Sequence, residues 1–308
     1  MNALVGFAQI RQALAEAEPL RLAVAGGASL SVVNSLIEEH RHGLVRRVFL
    51  IGDGEEIGKV LEQANIDTAD FEICDSGPEP VDSARLAVEL ARRGYADALV
   101  KGHIESSTLV KQILDKRIGI LAGELLSNIT VFEAGSYHKL FGIADNAIVP
   151  RPDAGQKLQI IKNTVPLFSA LGVCPVKVAL VAASEKLADA LPATMDAAAV
   201  KSKFEDAERT VIVDGPFGYD ICISRSAAEK KGITESEVAG DPDLLLFHDI
   251  ESANAVGKAI KFHSAASSGG LLLGCTVPVL FNSRSDGARR RSNSLLLANI
   301  LADGRVSR

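Results

Sequence analysis

The sequence predicts an α/β protein of two domains, built on mostly parallel sheets with some antiparallel pairing. Three observations carry this. Short β-rich apolar runs alternate with helical stretches along the whole chain. The runs are continuously apolar, as strands covered by helices on both faces must be. The chain has 308 residues, which corresponds to about two domains of roughly 150 residues each.

Taken in order, "RLAVAGG" (21–27) reads as a strand and turn, with a helix beginning at Ser29. "RRVFLIGDG" (46–54) and "ADALVKGH" (96–103) repeat that grammar. "SNITVF" (127–132) and "KLFGIAD" (139–145) are joined by a short polar link, which predicts a hairpin and hence a mixed sheet. "VKVALVAAS" (176–184), "RTVIVDG" (209–215), "DLLLFHD" (243–249) and "GGLLLGCTVPVLFNS" (269–283) continue the pattern. The clearest break is "NAIVPRPDAGQKLQIIKNTV" (146–165), where Pro150 and Pro152 precede a long helix. This places one domain at 1–148 and the other at 149–283. The last helix, from about residue 286, is too small to stand alone. It is expected to return to the first domain, making that domain 1–148 plus 284–308.

Composition narrows the function classes. The chain is 47% hydrophobic, and 33 basic against 39 acidic residues give a formal net charge of −6. An acidic surface repels nucleic acid, so no such partner is expected. No apolar run reaches the roughly 18 residues of a membrane span, so no membrane partner is expected either. The N-terminus reads as an amphipathic helix without a signal-peptide charge pattern. Cys74, Cys174, Cys222 and Cys275 are scattered with no CxxC, which reads as buried, reduced thiols in a cytoplasmic protein. His40 and His42 lie in a charged stretch that reads as solvated.

Nearly every strand ends in a small or polar group, where ligands of open α/β sheets bind. Lys101, Asp145, Asp214, Asp249, Ser283 and Arg284 are candidates by that position. Helix caps and tight turns account for many such residues as well. "VAGGASLSVV" (24–33) has neither GxGxxG nor GxxxxGK[ST] spacing, so it reads as a plain strand–turn–helix. No HExxH or GxSxG is present, and no metal site or bound cofactor is expected. "KGHIESSTLVKQILDK" (101–116) places Ser106 and Ser107 at a helix start with Lys101 and Lys111 nearby. Such a start can hold an anion, or the hydroxyls are ordinary caps and Lys111 is solvated. "FNSRSDGARRRSNSLLLANIL" (281–301) sets Arg284, Arg289, Arg290 and Arg291 ahead of an apolar helical run. Cations at a helix N-terminus cost about 0.3–1 kcal/mol each. The arrangement makes sense if something negative binds there.

Six blocks, "ADALVKGHIESSTLVKQIL", "LLSNITVFE", "LPATMDAAAVKSK", "VDGPFGYDICISRSAAEKKGI", "SEVAGDPDLLLFHDIESANAVGKAI" and "FNSRSDGARRRSNSLLLA", resemble blocks of the phosphate acetyl/butyryl transferases. The resemblance covers roughly residues 20–300 and is closer to the butyryl-type members. It implies the fold of isocitrate and isopropylmalate dehydrogenases, a homodimer, and an active site in the cleft between the domains. It implies acyl-CoA and phosphate as substrates, exchanged for acyl phosphate and CoA by direct attack in a ternary complex. On this resemblance Ser283 and Arg284 lie at the reacting phosphate and CoA, and Lys111 falls near a substrate-contacting arginine of the family. Arg289 and Arg290 would attract CoA phosphates. The longer phosphotransacetylases carry a base aspartate where this chain has Arg290. Asp286 matches the SRxD form of the butyryl-type members, or caps the last helix. Other functions compatible with these residues are phosphate acyl transfer from acyl carrier protein, a metal- and NAD-dependent dehydrogenase of the same fold, and non-catalytic CoA binding.

Overall fold

The computed structural model describes residues 3–66, 69–204, 210–283 and 286–303. The chain opens with α1 (Phe7–Ala13), β1 (Leu20–Ala25), α2 (Leu30–Arg41), β2 (Val45–Gly52), α3 (Gly54–Ala64) and β3 (Phe71–Asp75). It continues with α4 (Pro80–Arg92), β4 (Ala98–Lys101), α5 (Ser106–Ile113), β5 (Ser127–Glu133), β6 (Phe141–Ala144) and α6 (Ala154–Ala170). Next come β7 (Val176–Val181), α7 (Pro192–Lys201), β8 (Val211–Phe217), α8 (Tyr219–Ile223) and α9 (Arg225–Lys230). The last elements are β9 (Leu244–Leu246), α10 (Ile250–His263), β10 (Ser267–Leu273), β11 (Val279–Leu280) and α11 (Ala288–Ala302).

These elements form two compact units. Unit I comprises Ile10–Glu124 and the chain from Gly269 onward. Unit II comprises Leu125–Ser268 with the chain up to Gln9. The divides fall near 125 and 268, whereas the sequence placed them near 148 and 283. Strand pairing explains the difference. β6 pairs in parallel with β9 (Gly142↔Leu244), which carries the β5–β6 hairpin into unit II. β10 pairs antiparallel with β11, and β11 pairs in parallel with β4, which keeps both in unit I.

In unit I the strand order is β3-β2-β1-β4-β11-β10, parallel except at its β10 end. In unit II the order is β5-β6-β9-β7-β8, parallel except for the expected hairpin of β5 with β6. Every residue of β4, β6 and β9 is buried, as covering on both faces requires. The apolar stretch 269–283 is two antiparallel strands and not one, because Gly274 takes φ 90 and Pro278 removes a donor. β3 escaped the sequence reading; its alternating burial marks a sheet edge, not a central strand. Helix starts follow local chemistry. Asp53 accepts the N–H groups of Glu55 and Glu56 at α3, Asp153 and Gln156 form a reciprocal cap at α6, and Pro80 opens α4.

Two close approaches fix unit I. A Cβ on Gly102 would stand 2.2 Å from the Gly26 carbonyl oxygen, so the ends of β1 and β4 meet only because Gly102 has no side chain. A Cβ on Gly269 would stand 2.8 Å from the backbone of Asn293, so β10 and α11 also touch main chain to main chain. The buried Ser294 hydroxyl completes that contact, accepting the Gly270 N–H at 2.9 Å and the Asn282 amide at 3.1 Å. It donates to the Arg290 carbonyl at 2.9 Å.

The thiols differ from the buried set expected. Cys222 is buried and Cys275 half-buried, with burial pushing Cys275 up to about 12. Cys174 is exposed, because it lies in the turn between α6 and β7, where it lines a hollow of about 310 Å³. His40 is half-buried, its Nδ1 2.7 Å from the Val45 carbonyl. Asp241 and Asp243 face Lys139 and Lys177 across ion pairs of 2.5–3.0 Å. No helix among the described residues is long and apolar enough to cross a membrane.

Gly102→Ala is expected to lower stability by about 1–3 kcal/mol through overpacking. Ser294→Ala should cost a similar amount, roughly 1–3 kcal/mol, by orphaning buried donors. Denaturant midpoints measure both, and an unchanged midpoint for Gly102→Ala contradicts the close approach. Burial works against the Asp241 charge, but its bonds to Lys177 and Lys139 prevail and hold it at about 2. A folded value below the unfolded one stabilises the protein above the unfolded value, about 4, and is lost as pH falls toward the folded one. Asp241→Asn should therefore lower stability at neutral pH and flatten the acid dependence in thermal melts.

Candidate active site

The parallel register of unit I sets its polar groups at one edge. Ala25 pairs with Lys101, and Leu280 pairs with Val100. The residues that follow β1, β4 and β11 therefore stand together: Gly26, Gly102–His103 and Asn282–Ser283. The turn after β4 is pinned to β1 by the Gly102 and His103 N–H groups, which donate to Ala25 and Gly26 at 2.8 Å. Four residues further on α5 begins. Ser106 and Ser107 occupy its first turn, exposed, as the sequence indicated. The cap residue is Glu105, whose side chain makes no capping bond, so the two serines do not serve as the cap.

Ser283 is exposed, and the turn after it is held by reciprocal bonds. Asp286 donates its N–H to the Ser283 carbonyl at 3.0 Å, and its carboxylate accepts the Ser283 N–H at 2.8 Å. The same carboxylate lies 3.1 Å from Arg290 Nε. Burial draws the Arg290 guanidinium below its ordinary value and Asp286 opposes that. The capping alternative for Asp286 is corrected: the cap of α11 is Gly287, and Asp286 precedes it. Arg284 lies outside the described residues. Arg289 is exposed in the first turn of α11, while Arg291 reaches to within 3.5 Å of Ser31 on α2.

Lys101 is buried, its Nζ 3.5 Å from the Gly102 carbonyl. It lines a crevice with Glu39, Asn282, Arg291 and Ser292 whose volume is about 10 Å³. That is about the size of one water. Lys111 is exposed in the last turn of α5, roughly 7 Å along the axis from Ser106 at 1.5 Å per residue. It stands away from the N-terminal end of the helix.

The two carboxylates expected from unit II are taken up inside it. Asp145 is 2% exposed and accepts the N–H groups of Asn128, Ala147 and Ile148, each at 2.8 Å. Burial raises its pKa while those donors lower it. Asp214 accepts Lys201 Nζ at 2.7 Å and the Ser236 hydroxyl at 2.5 Å. Asp145 organises the turn after β6, and Asp214 is tied to Lys201 and Ser236.

The sequence reading missed a cluster at the carboxyl edge of unit II. Lys157 on α6 is 3% exposed and donates to Asp196 on α7 at 2.7 Å. It also lies 3.2 Å from His248 Nδ1, two residues past β9. Burial lowers the His248 pKa, and the Lys157 charge lowers it further. The available signal was a histidine directly before a helix-capping aspartate, Asp249, at a strand end. Among the described residues no group of three His, Cys, Asp or Glu side chains is placed to hold a metal ion.

The model of the phosphate acetyl/butaryl transferase family matches residues 78–299. A phosphate butyryltransferase of Clostridium acetobutylicum is 33% identical over 96% of this chain and 98% of its own length. A phosphate acetyltransferase of Thermotoga maritima is 34% identical over 94% of this chain and 97% of its own. In fold, the chain resembles a branched-chain phosphotransacylase from Enterococcus faecalis V583, with a TM-score of 0.82 over 92% of this chain and 99% of that one, at 24% identity. A 4-hydroxythreonine-4-phosphate dehydrogenase from Burkholderia phymatum shares the fold more distantly, with a TM-score of 0.53 at 11% identity over 92% of this chain and 98% of that one. The family match spans most of the chain and agrees with the full-length relatives: the protein belongs to the phosphate acetyl/butyryl transferase family.

Proposed function

We propose that the protein catalyses reversible transfer of a short acyl group between CoA and inorganic phosphate. The observation that carries this is full-length similarity to both phosphate butyryl- and phosphate acetyltransferases. The carboxyl edge of unit I supports it, because Ser283, the start of α5 and the basic start of α11 offer hydroxyls, free N–H groups and cations to anionic substrates. A phosphate oxygen attacks the thioester carbonyl carbon, the carbonyl pair moves onto oxygen, and its return expels the CoA thiolate. Acyl-CoA and phosphate must be held together for this, and no enzyme nucleophile takes part. Ser283 and Arg284 bind the reacting phosphate, with Arg284 offering a bidentate fork. Ser106, Ser107 and Arg289 contribute to the anionic ends of the substrates. Asp286 positions Ser283 and Arg290 in place of acting as the base. A homodimer in the cytoplasm, with no permanently bound cofactor, belongs to the same proposal.

Phosphate-dependent release of free thiol from acetyl-, propionyl- and butyryl-CoA tests the activity, and no release from any of them contradicts it. Arg284→Ala is expected to lower kcat by roughly 10²–10³, as loss of an oxyanion-site donor does; near-normal turnover in a folded variant removes its role. Asp286→Asn keeps the size but not the charge that faces Arg290. It should lower the thermal midpoint and reduce turnover by less than Arg284→Ala, whereas a loss confined to turnover would assign Asp286 a role in the chemistry instead.

A further inference from the structure

Unit I changes its winding direction between β1 and β4. The chain steps outward from β1 through α2, β2 and α3 to β3, and α4 then carries it back past β1 to β4. Right-handed crossovers set α4 on the face opposite α2 and α3. Packing agrees: α2 rests on α3 and β2, whereas α4 rests on β1, β2 and α5. The helices that follow β1 and β4 therefore leave for opposite faces, and ligands of open sheets bind at such a switch point.

His103 follows β4 at this point. Val100 pairs with Leu280, so His103 and Ser283 each stand three residues past a paired position on neighbouring strands. Such strands run about 5 Å apart, and the two residues leave the sheet at the same level. The His103 N–H donates to the Gly26 carbonyl at 2.8 Å, which pins its backbone to β1. Its side chain is exposed and makes no hydrogen bond or ion pair among the described residues. Three carboxylates of this edge are engaged. Asp286 accepts the Ser283 N–H and faces Arg290, Asp53 accepts the N–H groups of Glu55 and Glu56, and Asp75 those of Gly54 and Gly77. Other charged groups on the elements that meet here are the buried Lys101, Glu105 at the start of α5, Asp82 paired with Arg85 on α4, and Arg289 and Arg291 on α11.

We propose that His103 exchanges the proton of the CoA thiol, as general base when the thiol attacks acyl phosphate and as general acid when the thiolate leaves acyl-CoA. This rests on the acyl-transfer function proposed above. Imidazole is the side chain whose charge ordinarily changes near neutral pH, which suits it to both directions. Toward acyl-CoA, a ring nitrogen takes the thiol proton as the sulfur pair forms the carbon–sulfur bond. The carbonyl pair moves onto oxygen, and its return breaks the carbon–oxygen bond to phosphate. The phosphate oxygen leaves with the bonding pair and takes up one proton. Over the whole reaction one proton passes from sulfur to phosphate, so a single group that accepts it and gives it up again suffices. The arginines nearby bind anions but cannot do this, because they stay protonated.

Rates of acyl-CoA formation from CoA and acetyl, propionyl or butyryl phosphate, followed across pH, test this. A thiol of ordinary pKa, about 8.5, is roughly 1% thiolate at about pH 6.5 and mostly thiolate at about pH 9.5. Without a base the enzyme must rely on that fraction. His103→Ala and His103→Gln are therefore expected to lower kcat roughly 100-fold at about pH 6.5 and only a few-fold at about pH 9.5, with KM for acyl phosphate little changed. Both variants should fold, since the side chain is exposed. Wild-type kcat in both overturns the proposal. So does a loss of equal size at every pH, the mark of a binding or structural role, or a rise in KM at constant kcat. A pH-dependent loss in Glu105→Gln with none in His103→Ala would move the role to Glu105 and overturn it too. Failure of the wild type to form acyl-CoA from any of the three acyl phosphates would overturn the transfer function itself, and the His103 assignment with it.

Discussion

The basic end of the chain depends on how closely α11 lies against the β10–β11 hairpin. Gly269 lets the two backbones touch, and the Ser294 hydroxyl ties the helix to both strands at once. Because β11 pairs with β4, and β4 with β1, this one contact sets the start of α11 at the edge where three strands end. A change of one turn in the seating of α11 would move Arg289 and Arg290 by about 5 Å. The helix is therefore anchored by main-chain contact, which tolerates little slip.

That anchoring resolves why cations accumulate at a helix start. The four arginines do not share one task. Arg290 lies against Asp286 within a half-buried turn, and Arg291 leans on α2, so two of the charges are matched by neighbours in unit I. Arg289 is exposed and Arg284 follows Ser283 directly in the chain. An acidic protein thus keeps its positive field local, at one turn. There it attracts anions without the general affinity for polyanions that an overall basic charge would bring.

The fold was largely legible because its strands are buried on both faces and read as unbroken apolar runs. β4, β7 and β9 fall within the runs the sequence marked, and β1, β2 and β8 overlap theirs, reaching one or two residues beyond. β3 was not, since a sheet-edge strand half in water carries a weak pattern. The unit boundaries misled for a related reason: prolines mark where the chain turns, but strand partners decide where it belongs. At the site, the position of Ser283 and of the α5 serines was readable from strand-end grammar. The partners of Asp145 and Asp214 were not, because a carboxylate that organises a turn has the same sequence signature as one that meets a ligand. Nor could the Lys157–Asp196–His248 cluster be seen, as its three members come from residues 157, 196 and 248, which meet only through the crossing of α6, α7 and β9.

Direct transfer between two bound substrates is the chemical core of this account. Initial velocities measured against acyl-CoA at several fixed phosphate concentrations test it most directly. Intersecting double-reciprocal lines are the result expected of a ternary complex. Parallel lines, the mark of an acyl group carried on the enzyme between two half-reactions, would contradict it.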